Sequence, residues 1–179
     1  MIDEPAAPGD HVMPPVTTRL ADLAAEDDLT IVIELLDMYA REPMGQAAPL
    51  PPDVRRRLAV DLPKQSNLFV VLAEREAVPL GLAVCLVGYS TFLAKPLVNI
   101  HDLAVAPAAR GCGVGRKLLE RVASEAKDRR CARVTLEVRS DNAPARSLYR
   151  QVGFSGGEGS HWHEFWTKPL TSDSSDTNG

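Results

Sequence analysis

Residues 97–122 read LVNIHDLAVAPAARGCGVGRKLLERV, and the fold is decided there. An apolar strand runs into a proline-containing link, then a glycine loop, then a helix. The helix places Leu118, Leu119, Val122, Ala123 and Ala126 at the three- and four-residue spacing of one buried face. The strand carries an irregularity. Its apolar residues are even-numbered at Val98 and Ile100 but odd-numbered at Leu103 and Val105. A strand keeps each face at period two, so the change of phase implies one extra residue, a β-bulge near His101 or Asp102. A bulge bends the strand away from its neighbour and leaves backbone groups unpaired. Those groups can bond an extended, amide-bearing ligand as though it were another strand.

The loop alternates Gly111, Gly113 and Gly115 with other residues. Glycines let successive N–H groups point into one concavity without Cβ clashes, and a helix N-terminus adds partial positive charge. This is the physics of a phosphate cradle, and Arg110 and Arg116 flank it to neutralise a diphosphate. Cys112, inside the loop, reads as a small filler, with a redox role as the alternative. Two glycine patterns are excluded. The dinucleotide pattern G-x-G-x-x-G needs a glycine where Arg116 stands. The Walker pattern, counted from Gly111, meets Arg116 and Leu118 where it needs glycine and Ser or Thr.

Upstream, residues 16–19 form a strand candidate, and residues 29–41 carry helical apolar spacing that stops before Pro43. Residues 53–62 predict a second short helix. NLFVVLAER and PLGLAVCLVGY, separated by EAV, read as an antiparallel hairpin. Downstream, ARVTLEV alternates, with Val134, Leu136 and Val138 on one side. NAPARSLYRQV is a short helix with Asn142 as N-cap, Pro144 in the first turn and Gly153 past its end. HWHEFWTKPL reads as a last strand whose two histidines form a sheet-face pair rather than a metal site. The order predicts a mixed α/β (α+β) sheet.

A length of 179 residues fits one domain with flexible ends. A net charge of −4, with both signs interspersed and no basic stripe, argues against a nucleic-acid partner. Arg55, Arg56 and Arg57 read as a solvated helix face. Glu125 and Arg129 read as a pair on the exposed side of their helix. Three scattered cysteines suggest a reducing compartment. The acidic, proline-rich start lacks the character of a signal peptide, and no apolar run approaches a membrane span. The expectation is a cytoplasmic protein with no membrane partner.

The strand, the loop Arg110-Gly111-x-Gly113-x-Gly115, the helix and then NAPARSLYRQVGF together closely resemble the GNAT superfamily of acyl-CoA-dependent N-acyltransferases. Its motif R-x-x-G-x-G matches Arg110, Gly113 and Gly115. Its second motif, N-x-x-A-x-x-L-Y-x-x-x-G-F, matches Asn142, Ala145, Leu148, Tyr149, Gly153 and Phe154. The resemblance extends over residues 16–168 and is most specific from 98 to 154. It implies a central, mostly antiparallel sheet with a bulged strand and helices on both faces. It also implies a domain over residues 15–169, between flexible tails at 1–14 and 170–179.

By the same resemblance, Arg110, Gly111, Cys112, Gly113, Val114, Gly115 and Arg116 hold the diphosphate of acetyl-CoA, and the backbone of Leu103, Ala104 and Val105 orients the pantetheine and thioester. Asn142 bonds the pantetheine, caps its helix, or does both. Tyr149 matches the general acid for the departing thiolate; the alternative is packing beside Ala145 and Val152. His101 sits where some members carry a base, with Asp102, Glu137 and water as alternatives. The acceptor segments are residues 27–62, YSTFLAKP and 155–163. The expected reaction is direct acetyl transfer, in a ternary complex, to a primary amine of a small molecule. A non-catalytic acyl-CoA-binding module and an acetyltransferase of protein N-termini or lysines are the alternatives, and homodimer formation is left open. Glu26, Asp27, Asp28, Glu34 and Asp37 suit a cationic amine but read first as solvated charge.

Overall fold

Val70, Val71 and Leu72 are successive residues of one strand, and all three are fully buried. Successive strand side chains point to opposite faces, so both faces of this sheet are covered. The computed structural model describes residues 14–156. The HWHEFW strand and most of both predicted tails lie outside the described residues.

Among the described residues, five strands lie in the order β1 (Thr17–Leu20), β2 (Leu68–Arg75), β3 (Val78–Ser90), β4 (Lys95–Val105) and β5 (Val134–Leu136). Each neighbouring pair is antiparallel except β4–β5, which is parallel. The β2–β3 hairpin turns on two residues, Glu76 and Ala77, with φ of +50° and +63°. Two left-handed residues in succession match the right-handed twist of the flanking strands.

Helices α1 (Glu26–Ala40) and α2 (Pro52–Asp61) cover one face. Val32 and Leu35 of α1, with Leu62 just beyond α2, pack on Val70, Leu72, Leu82 and Val84. On the other face lies α3 (Val114–Asp128), whose Leu118, Leu119, Val122 and Ala126 meet Phe69, Val71, Cys85, Val98 and Ile100. The last helix, α4 (Ala143–Gln151), adds Leu148 and Tyr149 to the edge of that core. The sheet with helices on both faces is as expected, and α1 begins three residues before its apolar pattern does. Glu26, Asp27 and Asp28 fill that first turn, where negative charge complements the helix dipole.

The bulge is where the phase change puts it. Val84 pairs with Asp102 while Cys85 pairs with Ile100, so His101 is the residue without a counterpart. Its consequence corrects the reading of ARVTLEV. Only Val134, Thr135 and Leu136 pair with β4, and Leu136 pairs with Ile100, the last residue before the bulge. Past that point β4 offers no matching register, and Val138 is exposed.

Three other readings change. Glu125 is buried, not on an exposed face, and bridges Arg121 at 2.7 Å and Arg129 at 3.8 Å. Arg55 is no solvated side chain but ties α2 to Glu34 and Asp37 of α1. The buried acids of α1 are structural. Asp28 takes two 2.6 Å bonds from Arg19, which also reaches Glu74, and a third from the Asp22 N–H. Asp37 accepts from Arg41 at 2.9 Å and from the Leu50 N–H at 2.8 Å.

Candidate functional site

The site begins at the bulge. The Ala106 N–H bonds Leu80 of β3 at 2.8 Å, and neighbouring strand residues alternate the direction of their backbone groups. Ala104 therefore also faces β3, while Leu103 and Val105 turn their N–H and C=O groups the other way. Before the bulge, that other side belongs to β5, as the 3.1 Å bond from the Val98 N–H to Arg133 shows. After the bulge β5 has ended. The edge of Leu103 and Val105 opens onto a cleft of about 700 Å³ between β4, α3, α4 and the end of α1.

Below this edge the chain turns through Pro107–Ala109 into the glycine loop. Gly113 is the N-cap of α3, with φ +79°, and an added Cβ there would meet nothing within 4 Å. The first intrahelical bond runs from the Lys117 N–H to Gly113, so the N–H groups of Val114, Gly115 and Arg116 have no partner within the helix. An open hollow, first-turn amides and two flanking arginines fit a diphosphate in size and charge. Gly115 serves differently. An added Cβ there would lie 2.8 Å from Leu148 Cδ2, so this glycine lets α4 close on α3.

The cleft wall includes His101, Leu103, Ala104, Val105, Arg110, Gly111, Gly113, Val114, Gly115, Arg116, Asn142 and Tyr149. Of the base candidates Asp102 lies outside that wall, and of the residues assigned to acetyl-CoA Cys112 alone does. Its N–H bonds Ala109 and its exposed thiol lies 3.7 Å from the Arg110 carbonyl. Asn142 caps α4, its side-chain oxygen accepting from the Ala145 N–H at 3.2 Å, and it lines the cleft as well. Tyr149 packs its ring 5.9 Å from that of Phe154 and still reaches the cleft. Burial, and after it the neighbouring Tyr39, hold the Tyr149 phenol above its ordinary value, so it keeps its proton.

Of the three base candidates, His101 is exposed on the cleft wall. Glu137 is there too, accepting from the Asn99 side chain at 3.2 Å. Asp102 lies on the α1 face of the sheet; burial pushes its carboxyl up, against the opposing pull of His101. The motifs do not reveal the opposite wall. Met38, Tyr39, Glu42 and Met44, from the end of α1 and the loop after it, complete the cleft. Burial, then the charges of Asp102 and Glu42, raise the Tyr39 phenol. The family resemblance places these wall residues only within the broad acceptor segment 27–62, and their local signal is the helical spacing that continues from Leu35 to Tyr39 and breaks at Pro43.

Comparison with known proteins agrees with this geometry. Streptothricin acetyltransferase of Streptomyces lavendulae is 41% identical over 69 residues, which is 38% of this chain and 35% of that protein. Thialysine N-epsilon-acetyltransferase of Sus scrofa is 34% identical over 89 residues, 45% of this chain and 52% of that protein. The matches thus span between a third and about half of those relatives' lengths. The crystal structure of an aminoglycoside acetyltransferase from an uncultured soil metagenomic sample shares the fold. Its TM-score is 0.70 at 23% identity, over 86% of this chain and 97% of that one. The model of the acetyltransferase (GNAT) family matches residues 32–154, from α1 through the bulged strand and glycine loop to Phe154, and to that family the chain belongs.

Proposed function

We propose that the protein is an acetyl-CoA-dependent N-acetyltransferase that acts on a primary amine of a small molecule by direct transfer. One observation carries the reading. The backbone edge of Leu103 and Val105 and the first turn of α3 line one cleft, and Tyr149 faces the same cleft. A pantetheine arm and its diphosphate need such a line of donors. The names of the streptothricin and thialysine relatives support a small-molecule acceptor.

Acetyl-CoA, when bound, supplies the acetyl group activated as a thioester. The first-turn amides of α3, with Arg110 and Arg116, neutralise and anchor the diphosphate. Leu103 and Val105 present fixed N–H donors that orient the arm and favour negative charge on the acetyl oxygen. Tyr149 holds a proton at Oη for the sulfur that departs. His101, Asp102, Glu137 or water removes the proton of the amine. The proposed compartment is the cytoplasm; among the described residues, no helix is long and apolar enough to cross a membrane.

A panel of amines assayed with a thiol-detecting reagent, beside calorimetry with acetyl-CoA, tests the proposal. Thiol release that depends on an amine is expected. Tight binding without turnover on any acceptor would instead identify a non-catalytic acyl-CoA-binding module.

A further inference from the structure

Arg110, one of the two arginines assigned to the diphosphate, is already engaged in the structure. Its guanidinium forms an ion pair with Glu42 across the cleft and donates from Nε to the Val105 carbonyl at 3.2 Å. The partners are unequal. Glu42 is 20% exposed and Arg110 52%, so the arginine has room to turn while the carboxylate is the more enclosed partner. The backbone of Glu42 is fixed at both ends: its N–H bonds Tyr39 at 3.0 Å, and its C=O accepts from Gly45 at 2.9 Å and Ala47 at 3.1 Å. Met38, Tyr39 and Met44 line the cleft with it, and the Tyr39 phenol feels the Glu42 charge. A partly enclosed carboxylate near a phenol suits a cation on an aliphatic chain, and the Arg110 guanidinium is such a cation.

We infer that Glu42 selects the acceptor, binding a second cationic group of a diamine-like substrate at the place Arg110 occupies when the diphosphate is absent. The inference rests on the proposed cofactor site. A diphosphate beside Arg110 offers it more negative charge than one carboxylate does, and the guanidinium turns to it. Glu42 is then left facing the cleft without its cation. The two ligands are thereby coupled: each strengthens the other by the same factor. An acceptor with a single amine can meet Glu42 or present that amine to the thioester but not both, so it gains less from this coupling.

Calorimetry with coenzyme A, 1,5-diaminopentane and 1-aminopentane as probes tests this. In the parent, coenzyme A is expected to strengthen binding of the diamine more than that of the monoamine. Glu42→Gln removes the competitor, so coenzyme A should bind about two- to fivefold tighter, the scale of an exposed ion pair, and the preference for the diamine should vanish. Arg110→Gln leaves Glu42 free, so the diamine should bind without coenzyme A. Equal or undetectable binding of the two amines to the coenzyme-loaded parent overturns the inference, as does weaker or unchanged coenzyme A binding in Glu42→Gln. Failure of the parent to bind coenzyme A at all overturns the proposed cofactor site itself.

Discussion

Tyr149→Phe keeps the ring that meets Phe154 at 5.9 Å and removes only the hydroxyl, so it separates packing from proton donation. If Tyr149 is the acid, the single-turnover acetyl-transfer rate should fall about 10²–10⁴-fold with acetyl-CoA affinity nearly unchanged. An acid acts in its protonated form, and burial raises this phenol. Its basic limb should therefore lie above the ordinary phenol value of about 10, and vanish in the variant. Parent-like transfer in Tyr149→Phe would assign the residue to packing alone. The cysteines give a second residue-scale prediction. Burial pushes the Cys85 thiol up to about 12, whereas Cys112 is exposed, so iodoacetamide at neutral pH should label Cys112 long before Cys85. Peptide mass spectrometry reads the order; early labelling of Cys85 would contradict the packing described. Sequence made Tyr149 and the glycines legible because both motifs have fixed local spacing. Glu42 and Tyr39 were marked only as part of the acceptor segment 27–62, since what matters about them is an ion pair with Arg110 or an electrostatic effect on Tyr149, far along the chain.

Among the elements, α3 and its loop allow two glycines to be told apart. Gly113→Ala should fold, losing about 1–2 kcal/mol because φ is +79°, and its methyl should weaken coenzyme A binding by projecting into the open hollow. Gly115→Ala presses on Leu148 Cδ2, the movable end of a side chain, so a stability loss of about 1 kcal/mol and a displaced α4 are expected. Thermal unfolding with calorimetry distinguishes them; identical effects at both positions would contradict the assignment. The bulge at His101 could be read from sequence because a shift of period is a local signal. The early end of β5 could not, because its alternating pattern continues through Val138 and the pairing stops only where β4, over thirty residues earlier, loses register.

Across the whole molecule, Arg19 joins β1 to α1 through Asp28 and to β2 through Glu74. Removing it leaves Asp28 buried without its cation. Arg19→Met should cost about 1–3 kcal/mol, less than a fully buried pair because Arg19 is 41% exposed. The bonds from Arg19, against the cost of burial, hold the Asp28 carboxyl below its ordinary value. Its stabilisation is therefore complete above the ordinary aspartate value of about 4 and is lost as pH falls through the depressed folded one. Denaturant melts of the parent should show that acid loss and those of Arg19→Met should show less of it; parallel pH profiles would contradict the role. The charge of these acids was visible in sequence, but not that Asp28 and Asp37 turn inward to arginines. Helical periodicity marks a face, and only the assembled sheet shows what lies against it.

The central claim is that the freed edge of β4 and the first turn of α3 form one binding line for the cofactor. An amide-resolved NMR titration with coenzyme A tests it most directly. The account predicts that the largest shifts fall on the N–H groups of Leu103, Val105, Gly113, Val114, Gly115 and Arg116, with the α1–α2 face little changed away from Glu42, which loses Arg110. Shifts centred elsewhere, or none at saturating coenzyme A, would contradict it.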